Sequence, residues 1–322
     1  MKQVLYWFVI GLCLLASCKK DTKPSTPPGK WIQKASLPTD KARVTGLGFS
    51  IAGNGYLAMG TRVGFYGNNE DRLNDLLEYD PATNAWVDKA PLTGLKLADG
   101  VGMVINNKFY TGIGETDQGI ETNQFWEYDP ATNQWTQKAD FPGTHRIDAI
   151  AFGVGNKGYA GTGFVDGLTH LTDWWEYDPA TDKWTQKTDF GGGGAHFVTG
   201  FVWNDKIYAG LGVNYDVYHR DWWQYDTGTD TWTKKKDFPG QVKWGAAGFA
   251  IGTKGYVMAA GSECWQYDPS ADQWIQQAFF APRYMGAAFA IGNKGYYVTG
   301  TDGVDGPGVL VDDLWEFSPQ EK

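Results

Sequence analysis

Cysteine is nearly missing from this chain. Three occur in 322 residues, and Cys13 and Cys18 both lie close to the N-terminus. The body therefore keeps only Cys264, and no disulfide framework can hold it together. Histidine is also rare, with four residues: His145, His170, His196 and His219. No two of them have the close helical spacing of a zinc site, so no metal and no cofactor is expected. Basic residues are in deficit, 28 against 37 acidic, for a net charge of −9. That excludes the broad cationic face needed to displace counterions from nucleic acid. Long apolar runs are absent apart from Val4–Leu15, which is too short for a comfortable membrane span. Glycine and aromatics are plentiful: 43 Gly, 16 Trp, 17 Tyr and 17 Phe. Glycine has no three-residue period, which excludes collagen. Short strands joined by tight turns fit this composition.

The N-terminus reads as an address. Lys2 precedes the apolar run, and Leu15-Ala16-Ser17-Cys18 resembles the lipobox of bacterial lipoproteins. The resemblance implies removal of residues 1–17 and lipidation of Cys18. The polar, Pro-rich residues 19–30 then form, with Cys18, a flexible tether to a bilayer. The implied location is the bacterial cell envelope, at the outer membrane.

The body repeats. The strings LLEYDPATNAW, FWEYDPATNQW, WWEYDPATDKW, WWQYDTGTDTW, CWQYDPSADQW and LWEFSPQ recur every 42 to 50 residues. Their aromatic anchors are Tyr79, Tyr128, Tyr177, Tyr225, Tyr267 and Phe317. The first five end in a Trp seven residues after the anchor, from Trp86 to Trp274. The sixth lacks that Trp, but WIQKASLP at Trp31 matches the missing piece. An early strand therefore completes the last repeat. A second element ends at Tyr56, Tyr110, Tyr159, Tyr208, Tyr256 and Tyr296, each after an Asn-, Asp- or Gly-containing turn. Each repeat thus holds four strands.

These motifs resemble the kelch repeat over residues 31–319. The resemblance implies an all-β fold: one six-bladed β-propeller domain, 31–322, monomeric, closed by its N-terminal strand. Recurrent Trp and Tyr then read as blade packing. Function is expected where the repeat varies. The stretch between second and third strands ranges from 11 residues in blade five to 23 in blade one. Strand alternation puts these loops on one face with the entries to the innermost strands.

Thirteen residues before the hairpin tyrosines stand Arg43, Leu97, Arg146, Ala195, Lys243 and Arg283, with Lys96 and His196 beside the two exceptions. These positions are expected to ring the axial mouth and to favour an anionic ligand. The kelch resemblance implies a ligand role for Arg43, Arg146 and Arg283. The alternative is that they bond loop carbonyls beside the axis. Rim candidates are Arg62, Tyr66, Glu115, His170, Tyr215, His219 and Arg220, since aromatics among polar groups suit sugars. Trp203 and Trp244 are assigned to core packing.

The favoured expectation is a membrane-anchored binding module for a glycan or protein. The second is a mutarotase or epimerase acting on an acidic sugar, by resemblance to bacterial sialic-acid mutarotase, with Glu115 and His196 as acid–base candidates. Galactose oxidase-like copper chemistry lacks a matching His, Tyr and Cys motif.

Overall fold

The computed structural model describes residues 27–62, 71–259, 261, 263–279, 281–303 and 308–320. Six four-stranded antiparallel sheets form a six-bladed β-propeller. Blade one runs Leu47–Ile51, Asn54–Ala58, Leu76–Asp80 and Ala85–Lys89 from axis to rim. Blade six runs Ala287–Ile291, Lys294–Val298 and Leu314–Ser318, and its outer strand is Lys30–Gln33 from the far end of the chain. Lys30 faces Ser318 and Gln33 faces Trp315 in that closing pair. The signal segment, Cys18 and most of the tether lie outside the described residues.

The five anchor tyrosines and Phe317 are completely buried. Each tyrosine hydroxyl donates to an Asn or Asp five residues later, as Tyr79 does to Asn84 at 2.8 Å. That acceptor sits in the left-handed region, where Asn and Asp are least penalised. It also takes the backbone N–H that leaves the preceding blade, as Asn84 takes that of Ala35. The closing tryptophans complete the joint. Trp86 Nε1 donates to Ala35 O at 3.0 Å, and all six tryptophans repeat the contact at 2.8–3.2 Å.

The seam between blades five and six departs from this rule. Among the described residues none follows Phe317 in the Asn/Asp role. Instead the N–H of Ala278 donates to the carbonyl of Pro28 at 2.8 Å. The anchor there is Phe, which has no hydroxyl left to satisfy. The Glu or Gln before each anchor serves a different purpose: it accepts from the hairpin tyrosine of its own blade, as Glu78 does from Tyr56 at 2.7 Å.

The innermost strands crowd the axis. A Cβ at Gly153 would lie 1.8 Å from Val104 O, so only glycine admits this approach. A channel of about 520 Å³ remains, lined largely by glycine, alanine and apolar side chains. The hairpin and Asp-Pro turns share one face, and the loops between second and third strands share the other. Blade five is low there, because Ala259 pairs directly with Glu263. Blade two rises as two nine-residue strands, Lys108–Thr116 and Glu121–Asp129. Blades three and four each carry a small hairpin, Phe164–Val165 with Thr169–His170 and Val213–Asn214 with Val217–Tyr218.

Trp31→Phe keeps the ring but loses the bond to Ala278 O. Denaturant unfolding should show about 1 kcal/mol less stability. Trp31→Ala also removes the packing on Phe317 and should cost about 3 kcal/mol. Equal losses in the two variants would refute this account of the seam.

Candidate functional site

The basic entry residues do not line the mouth as expected. Arg43 and Arg146 are completely buried. Arg146 donates from both terminal nitrogens to Asp173 at 2.6 and 2.8 Å, and to the carbonyls of Thr144 and Thr162. Arg43 treats Asp75, Lys41 O and Met59 O in the same way. Arg283 is paired with Asp313. Their carboxylate partners sit four residues before the anchors, and in blades three and six the same carboxylate also accepts an indole N–H, from Trp175 or Trp315. These arginines therefore fasten the entry of the first strand to the start of the third. Lys243 holds the matching place in blade five, and His196 and Lys96 flank it in blades four and two. Lys96 pairs with Asp117 at 3.4 Å.

The mouth itself is formed two residues farther along. Thr45, Asp99, Asp148, Phe197, Gly245 and Met285 stand eleven residues before the hairpin tyrosines, one per blade. All six are left-handed, with φ between 52° and 77°. Five of them are not glycine, so the ring holds strain of about 1 kcal/mol or more per residue. Backbone bonds link neighbours around the axis. Asp148 N–H donates to Asp99 O at 2.9 Å, Phe197 to Asp148, Met285 to Gly245 and Thr45 to Met285. Together they enclose a funnel of about 140 Å³ above the channel.

This ring puts two carboxyls at the mouth of an expected anion site. Burial pushes Asp99 up to about 6; Glu115 adds to the rise, while Thr45 and Arg72 oppose it. Burial also raises Asp148 well above the ordinary carboxylate range, and the charges of Asp99 and Glu115 add to it. Glu115 itself is held by Arg72. The expectation of a cationic mouth is thus corrected for the arginines: Arg43, Arg146 and Arg283 are neutralised within their blades, and two acidic residues line the mouth.

Phe197, on the same ring, starts an aromatic arc that runs outward from the mouth. Phe197 lies 6.4 Å from Trp244, which lies 6.2 Å from Tyr284. In the opposite direction His196 is 5.0 Å from Phe197, His170 5.0 Å from His196, and Tyr215 4.7 Å from His170. Burial lowers the His196 pKa to about 4, with His170 contributing. Burial lowers His170 as well, and His219 adds to the effect. Both imidazoles are therefore neutral near pH 7. Trp203 packs in the core as expected, against Tyr208. Trp244 instead belongs to this arc.

Arg220 is exposed on the rim, and His219 is half-buried near His170. Arg62 borders a separate cavity of about 570 Å³ with Asp40 and Asp312. Tyr66 lies outside the described residues. Cys264 is fully buried, and burial raises its thiol pKa, which makes it a poor nucleophile. Among the described residues no three His, Cys, Asp or Glu side chains converge on a metal position. No protein-family model matches the sequence, and a search of curated proteins finds no match.

The sequence carried a signal for both corrections. An acid stands four residues before the anchor in every blade except blade two, where Gln124 replaces it and the entry residue is Leu97. The residue eleven before the hairpin tyrosine changes chemistry from blade to blade while its register stays fixed.

Arg146→Met should cost about 3 kcal/mol or more in urea unfolding, because Asp173 is left uncompensated. Adding Asp173→Leu should recover part of that loss. No recovery would argue against the pair. Asp99 gives a second test. The fold binds its proton more tightly than the unfolded chain does, so stability falls as pH rises from about 4 to above 6. Asp99→Asn should be nearly neutral at pH 4 and stabilise by about 1–2 kcal/mol at pH 7.5. A pH-independent difference in melting temperature would count against the buried carboxyl.

Proposed function

We propose that this chain is a kelch-type propeller, exported as a lipoprotein, that binds carbohydrate at the axial mouth of its loop face. One observation carries the reading: Asp99, Asp148 and Phe197 line the mouth together, and the Phe197 ring leads on to Trp244 at 6.4 Å and from there to Tyr284 at 6.2 Å. Sugars have apolar ring faces that stack on aromatics and hydroxyls that donate to carboxylates. The acidic pair disfavours an anionic ligand, so a neutral or amino sugar fits better than an acidic one. The chain enters its outer strand at Lys30, next to Ser318 and the hairpin of blade six, on the turn face. A lipid on Cys18 would therefore tether the turn face and leave the loop face pointing away from the bilayer.

A second reading rests on the carboxyl pair. Burial raises both carboxyls, and the charge of Asp99 adds to the rise at Asp148. Such a pair suits anomer interconversion. The carboxylate would take the anomeric hydroxyl proton as the C1–O5 bond opens, and the carboxylic acid would protonate O5. Recyclisation on the other carbonyl face reverses both transfers. Glu115, engaged by Arg72, is less suited to either role than the sequence suggested.

Both readings predict that Trp244→Ala weakens binding on a glycan array about tenfold or more. Asp99→Asn with Asp148→Asn would abolish any anomer exchange seen by proton NMR but retain stacking. Absence of glycan binding by the wild-type protein would overturn the proposal. Binding without exchange would leave the module reading alone.

A further inference from the structure

We infer that the side chains gathered between the loop hairpins of blades three and four, around His170 and His196, form a second carbohydrate subsite, so that the ligand is an oligosaccharide. This rests on the carbohydrate reading of the axial mouth and extends it outward. Both ring nitrogens of His170 are buried without a hydrogen-bond partner. So is Oδ1 of Asn214, whose Nδ2 donates to Gly194 O at 2.5 Å. A neutral imidazole has one N–H and one lone pair to satisfy, and leaving them unpaired costs free energy. A sugar hydroxyl both donates and accepts, so it meets both needs.

The backbone fixes this arrangement. His170 pairs with Phe164 across its hairpin, and His196 is bridged to Val213. Phe164 stacks on His196 at 4.9 Å, which braces the rings from one side. Tyr215 stands at the tip of the next hairpin, 68% exposed, with its edge toward His170. Leu168 and Val217 are also exposed on these two tips. The titratable neighbours are Asp216, which acts on His196, and His219, which acts on His170. Both imidazoles stay neutral there, the form that hydrogen-bonds a neutral polyol. Four ring-to-ring steps of 4.7–6.4 Å separate Tyr215 from Trp244. One pyranose covers a single step of that path, so a chain of several units is needed to occupy it.

The test uses the full chain and titration calorimetry against glucose, xylose and mannose oligomers of one to six units. Affinity for the preferred series should rise about tenfold or more between the single sugar and the tetramer. The double variant His170→Phe, His196→Phe keeps the rings but not the nitrogens, and should lose that gain while binding the short sugar as before. Tyr215→Ala, at an exposed tip, should lose part of the gain with an unchanged melting temperature. Length-independent affinity, or a gain that survives all three substitutions, would overturn the subsite and leave the axial site standing. Stoichiometric zinc binding that disappears in the double variant would overturn it in favour of a metal centre. If no oligomer of any length binds, the carbohydrate reading falls and the subsite falls with it.

Discussion

The joint between blades is the constraint on which everything else depends. A blade has two sheet faces and cannot bury both by itself, so each needs a neighbour. Here the joint is a small set of bonds used around the whole ring. The closing Trp donates to the carbonyl that leaves the preceding blade, and an Asn or Asp in the turn just before that Trp accepts the N–H from the same segment. The buried anchor tyrosine holds that acceptor in place. Where the chain ends interrupt the pattern, Pro28 O supplies the acceptor and the anchor becomes Phe317. A backbone carbonyl takes the place of the side-chain acceptor, and the hydroxyl that would have needed that acceptor is lost with it.

Closing the ring in this way fixes the loop face. Six first strands converge, and glycine at positions such as Gly153 lets them approach. The residues just above them must turn in a left-handed conformation, even when they are Thr, Phe or Met. The scaffold absorbs that strain, and the side chains at those turns are free to differ. That difference sets Asp99 and Asp148 beside Phe197 at the mouth. The buried arginines belong to the scaffold by the same logic. Each is matched by a carboxylate, so its charge is spent within its own blade.

Much of this was legible before any coordinates. The fixed seven-residue step from anchor to Trp and the displaced copy at Trp31 determined the repeat, the blade count and the closure. The low rim at blade five followed from the 11-residue spacing there. The site was less legible. Arg43, Arg146 and Arg283 stand at the entry to the innermost strands in sequence register, yet their side chains pair with Asp75, Asp173 and Asp313. Trp244 looked like core because it stands near a first strand, but it meets Phe197 and Tyr284 on the loop face. Register along a strand says which residues share a level. It does not say which way a long side chain bends at the strand's end.

The sequence by itself determined the all-β repeat and its closure, because those rest on local spacing and on residues that recur in every blade. Tertiary structure alone decided the character of the mouth. Charge near an axis is set by pairings across strands, and Asp75, Asp173 and Asp313 consume the arginines. Two residues farther on, the left-handed turns bring Asp99 and Asp148 together from different blades and set His196 beside His170. Residues separated by a full repeat become neighbours only when the ring closes.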